Sequence, residues 1–186
     1  MTPVRLIETL AKEFRQVTKN FTLQAEYQRD KKVTVYEGYI PVENFNNETF
    51  FPFIVVELAN VEYDEDFSIA TIRIIFAVYG GENAKYGGGR ELKSGFKDYG
   101  DGWRDLLNLG EVIRQYFMRL PNGFVDKTFR LIKPVAFVPR PDQPMPFFYA
   151  EMVAQFEIGH PPFPLDYPAE FEESHVGYQE PRVLGW

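Results

Sequence analysis

The sequence predicts an α+β fold, an antiparallel or mixed sheet of about five strands with two main helices packed on it. Three observations predict it. Apolar residues recur at helical spacing in two separated segments, and period-two alternation runs through several others. The order helix, three strands, helix, two strands differs from the strict alternation of a parallel α/β chain, so the helices are expected to layer onto a sheet. The chain has 186 residues, a length that one hydrophobic core can organise, and no internal repeat.

Thr2-Pro3 supplies a capping residue and the proline tolerated at a first helical position. Leu6, Leu10, Phe14 and Val17 follow at helical spacing, so a helix is expected from about Pro3 to Lys19. Val33 to Ile40 alternates β-branched and aromatic residues before Pro41, the pattern of an edge strand. Glu43 to Thr49 is Asn-rich without periodicity and reads as a loop. Phe53 to Asn60 and Phe67 to Tyr79 then predict long strands on either side of the acidic turn Glu62-Tyr-Asp-Glu-Asp66. Within Phe67 to Tyr79, Ile72, Ile74, Phe76 and Val78 share one face, and Thr71, Arg73, Ile75 and Ala77 share the other. A central strand with a core face and a partly covered face fits that pattern.

From Gly80 to Gly102 eight glycines are interspersed with Lys85, Tyr86, Arg90, Lys93, Phe96 and Lys97. Connections this long in a compact domain are commonly functional. Asp101 is expected to cap a second helix in which Trp103, Leu106, Leu107, Gly110, Ile113 and Phe117 form one broad apolar face, with Trp103 a core anchor. Leu120-Pro-Asn-Gly123 stops it. The strands Phe129 to Val138 and Phe147 to Ile158 follow, joined by the proline-punctuated turn from Pro139 to Pro146. Phe148, Ala150, Met152, Ala154, Phe156 and Ile158 give the last strand a one-sided pattern. Beyond Gly159 come Pro161, Pro162, Pro164, Pro168 and Pro181, with five acidic residues against one Arg. The expected organisation is an α+β domain over residues 1–159 and an extended acidic tail over 160–186.

Composition narrows the function. A hydrophobic share of 45%, including 18 Phe and 11 Tyr, is more aromatic surface than one small core requires, so part of it is expected at an interface. The net charge of -7 argues against a dedicated nucleic-acid binder, whose footprint is basic. The absence of Cys removes disulfides, thiolate metal sites and cysteine nucleophiles together. No run approaches the roughly 18 apolar residues of a membrane span, and Met1 leads into a capped amphipathic segment, which predicts a cytosolic chain with no membrane partner.

Chemistry is sparse. His160 and His175 both fall in the tail, where no rigid element would hold a general base in place. The run Glu62 to Asp66 lacks the spaced ligands and central Gly of a calcium loop. The glycine-rich stretch lacks the Gly-x-x-x-x-Gly-Lys-Ser/Thr phosphate loop, and no Gly-x-Ser-x-Gly elbow is present. No enzyme activity, cofactor or metal is therefore expected. Two alternatives stand beside protein interaction. One is a carboxylate-only enzyme using Glu57, Glu151 and Glu157 on adjacent strands, and the other is a small-ligand module in an aromatic groove beside the second helix.

Phe51-Pro-Phe-Ile-Val-Val-Glu-Leu58, an acidic turn, Ala70-Thr-Ile-Arg-Ile-Ile-Phe-Ala-Val-Tyr79 and Gly102-Trp-Arg-Asp-Leu-Leu-Asn-Leu-Gly-Glu-Val-Ile-Arg-Gln-Tyr-Phe117 resemble the central block of the tail terminators of long-tailed bacteriophages, also called tail completion or minor tail proteins. Val138-Pro-Arg-Pro and Asp142-Gln-Pro-Met-Pro-Phe-Phe-Tyr149 are similar to that family's closing hairpin. The resemblance covers about residues 50–158. The long loop at 80–102, the region 20–50 and the tail after 159 depart from the pattern. It implies a structural virion protein of the tail or neck, assembled in the host bacterial cytoplasm. Its expected partners are itself in a ring, most often a hexamer, the tail tube protein and the head–tail connector, with DNA passing only non-specifically through the pore. Lys85, Tyr86, Arg90, Lys93, Phe96 and Lys97 are the expected interface residues. A head–tail connector or neck protein of the same particle is the nearest alternative.

Overall fold

Thr2 accepts a hydrogen bond from the Arg5 N–H at 3.5 Å, and Pro3 occupies the first turn, where its missing N–H costs nothing, so α1 (Pro3–Val17) starts where expected. The computed structural model describes residues 2–25, 30–40, 47–63, 67–80, 102–143 and 146–159. After α1 come β1 (Thr34–Glu37), β2 (Phe53–Tyr63), β3 (Ser68–Tyr79), α2 (Gly102–Met118), β4 (Phe124–Val125), β5 (Phe129–Pro139) and β6 (Phe147–Ile158). The fold is α+β. β4, a two-residue strand, is the addition to the expected five and brings the sheet to six, in the order β1-β2-β3-β6-β5-β4.

The sheet is mixed. β1 runs parallel to β2 at one edge, where its sequence suggested an edge strand, and every other pairing is antiparallel. β3 is central and pairs with β2 and β6 along nearly its whole length. Its even-numbered residues Ile72, Ile74, Phe76 and Val78 meet Leu6, Leu10 and Phe14 of α1 and Leu106, Leu109, Ile113 and Phe117 of α2 in the main core. Both helices thus lie on one face of the sheet. At roughly 25 cal/mol for each Å² of apolar area removed from water, that face supplies most of the driving force for folding.

Among the described residues the opposite face is covered at one end only. There Ile75, Ala77 and Tyr79 pack with Phe53, Val55 and Tyr149 under Phe51 and Ile40. The covered half of β3 matches the expectation, but the one-sided reading of β6 needs correction. Tyr149, on its supposedly open face, is only 4% exposed, because Phe51 folds over it with ring centroids 6.0 Å apart.

The buried face of α2 also differs from the expected one. Leu106, Leu109, Gly110, Ile113 and Phe117 are buried, whereas Trp103 and Leu107 are 45% and 40% exposed. At about 100° per residue, Asp105 and Leu109 swing the buried stripe away from the side that carries Trp103 and Leu107. Trp103 is therefore a surface residue, not a core anchor. The helix stops at Leu120-Pro-Asn-Gly123, where Asn122 and Gly123 take positive φ of 53° and 77° that no helix continues.

Candidate assembly surfaces

Lys85, Tyr86, Arg90, Lys93, Phe96 and Lys97, the residues expected at an interface, fall outside the described residues. So do the expected cap Asp101, His160, His175 and the acidic tail. The surfaces that remain belong to the sheet, its two edges and the outer side of α2.

Away from the aromatic cluster, the helix-free sheet face carries ion pairs that cross between neighbouring strands. Glu57 on β2 bonds Arg73 opposite it on β3, Arg140 bonds Glu151, and Arg130 meets Glu157 at 3.6 Å. The carboxylates considered for acid–base chemistry are therefore each held by an arginine. They also do not lie on adjacent strands throughout, because β3 separates β2 from β6. Solvent-exposed pairs of this kind contribute about 0–1 kcal/mol each, so they specify register more than they stabilise. Among the described residues no three His, Asp or Glu side chains converge as a metal site, and no helix is long and apolar enough to cross a membrane.

The two sheet edges differ. β1 covers β2 only from Phe53 to Val56, so the segment from Glu57 to Tyr63 has no neighbouring strand on that side among the described residues. Leu58 and Tyr63 on this segment are 40% and 76% exposed. At the other edge, β4 covers only Phe129 and Arg130, so most of β5 has no neighbouring strand on that side among the described residues. Next to that edge lies an open cleft of about 610 Å³, lined by Leu120, Asn122, Arg130, Leu131, Lys133 and Glu157 among others. Pro134 and Pro139 interrupt the edge and remove donors that a further strand would need.

The outer side of α2 presents Trp103, with the Arg104 guanidinium 5.2 Å from its ring centroid, and Leu107 one turn on. Toward the C-terminus of α2, Arg114 and Gln115 hydrogen-bond the Glu111 carboxylate and hold its pKa down to about 2, so it stays charged across the ordinary pH range.

Sequence reasoning missed one structural anchor. Asp105, fully buried in the first turn of α2, accepts the N–H groups of Gln24 and Ala25 at 2.8 and 2.9 Å and pins the segment after α1 to the second helix. An Asp in a helix's first turn was a readable signal for favourable electrostatics, but its distant backbone partners were not.

A comparison with protein-family models and with curated proteins finds no match to the chain.

Proposed function

We propose that the chain is a structural virion protein that caps the tail tube of a long-tailed bacteriophage as a ring, ends tube growth and presents a face to the head–tail connector. The observation that carries this reading is the element order. The residues that resemble tail terminators fall onto β2, β3, α2 and the β5–β6 hairpin in that order, all parts of one α+β sheet layer.

A ring requires a heterologous interface, in which one surface of a subunit meets a different surface of the next. The sheet's unlike edges provide such a pair. In this reading Lys85, Tyr86, Arg90, Lys93, Phe96 and Lys97 contact a neighbouring copy or the tube.

The test is light scattering on a size-exclusion column over a concentration series, imaging of the heaviest species, and mixing with purified tail tubes. A closed ring of about six subunits that seats on tube ends supports the proposal. A chain that remains monomeric and leaves tube growth unaltered overturns it. Rings that bind a connector but ignore tube ends move the protein to the neck. Alanine at all six of these positions should abolish tube capping, and unchanged capping would remove their assignment.

A further inference from the structure

We propose that copies of this chain join edge to edge, with the Glu62–Tyr63 end of β2 from one copy seated in the Arg130–Lys133 cleft beside β5 of the next. The proposal rests on the ring reading and names the contact that closes the ring.

Register supports the geometry. Tyr63 pairs with Ser68, Ser68 with Ile158, and Glu157, one residue before Ile158, pairs with Arg130. The exposed end of β2 and the cleft therefore lie at the same end of the sheet but at opposite edges, three strand spacings apart, or about 14 Å. Joining one to the other places the next copy beside the first with little step along the strands. A repeated contact that rotates without translating closes into a ring, whereas one that also translates winds into a filament.

Charge and shape agree with it. Arg130 and Lys133 line the cleft, and Glu157 offsets only part of their charge through its contact with Arg130 at 3.6 Å. Glu62 brings the opposite sign. Tyr63, at 76% exposure, is the protruding group, and Leu120, Leu131 and Ile132 give the cleft an apolar wall for its ring. A twofold pairing of β2 with β2 would instead set Glu62 near its own copy, which like-charge repulsion disfavours. Pro134 and Pro139 on β5 argue for a seated side chain rather than a continuous ladder of backbone hydrogen bonds.

The experiment compares the full chain with Glu62→Lys, Lys133→Glu, the double charge swap and Tyr63→Ala, using sedimentation at low and high salt with imaging of the assemblies. All the substituted residues are solvent-facing, and unfolding curves verify that each variant folds. Each single reversal is expected to weaken self-association about 10-fold, and Tyr63→Ala by more. The double swap should recover most of the loss, and salt should weaken the unsubstituted chain. Single reversals that assemble like the unsubstituted chain, or a double swap no better than either single, overturn this contact while rings in the unsubstituted chain leave the ring reading standing. Charge-dependent assembly into open filaments supports the contact and overturns the ring. A monomer at every concentration, with and without tail tubes, overturns both.

Discussion

The side-chain amide of Gln143 closes the β5–β6 hairpin by pairing with both backbone polar groups of Tyr149. Its oxygen accepts the Tyr149 N–H at 2.6 Å, and its nitrogen donates to the Tyr149 carbonyl at 2.8 Å. The same nitrogen also reaches the Arg140 carbonyl at 2.6 Å, so one side chain substitutes for a strand residue where the ladder ends. Gln143→Ala should leave these groups without the amide and destabilise the fold by about 1–3 kcal/mol. Urea unfolding measures the loss, and faster amide exchange at Tyr149 would locate it.

Asp105 should be the costliest polar position on α2. Ala at this site removes the acceptor of two backbone donors, one of them buried, for an expected loss of about 3 kcal/mol. Asn keeps one acceptor oxygen and should cost about 1–2 kcal/mol. Thermal unfolding of the two variants checks the ranking, and equal losses would show that charge and geometry, not acceptor count, set the cost.

Gly110 marks a close approach between α2 and β5. A Cβ there would clash with Cε2 and Cζ of Phe137, whose ring packs edge-on against Phe76 at 5.6 Å. Ala gains about 1 kcal/mol in helix propensity but forces the ring aside, at about 1–3 kcal/mol. Gly110→Ala is therefore expected to destabilise by about 1 kcal/mol on its own and to become neutral or stabilising with Phe137→Leu. A double-mutant cycle with no coupling would show that the ring yields freely.

Alkaline pH should weaken the fold before general unfolding. Burial pushes the Tyr149 phenol up to about 12 and raises Tyr116 further. Because both folded values lie above that of a free phenol near 10, the unfolded chain releases these protons first. The stabilisation is complete below about pH 10 and is lost as pH rises through the folded values. Each tyrosine can contribute a fall of up to about 1.4 kcal/mol per pH unit. Urea midpoints at pH 9, 10 and 11 measure the slope, which Tyr116→Phe and Tyr149→Phe together should flatten.

How far each feature was legible depends on the range of the interaction behind it. The Thr2-Pro3 start, the stop after α2 and the core face of β3 arise from chemistry within a few residues and were readable. Trp103 was misplaced because a helix's buried side depends on what it packs against, and Trp103 lies on the flank of a stripe centred near Ile113, with Asp105 at its far edge. The buried state of Tyr149 depends on Phe51, nearly a hundred residues earlier in the chain, folding over it.

By itself the sequence determined the α+β class, the order of its main elements and the core-facing residues of β3 and β6, because local periodicity and capping chemistry encode them. Only the tertiary structure decided that β1 joins in parallel, that Asp105 holds the backbone at Gln24 and Ala25, and that an exposed β2 end and a basic cleft share one end of the sheet. Those relationships join residues far apart in sequence, and no local period records which distant segment will meet which.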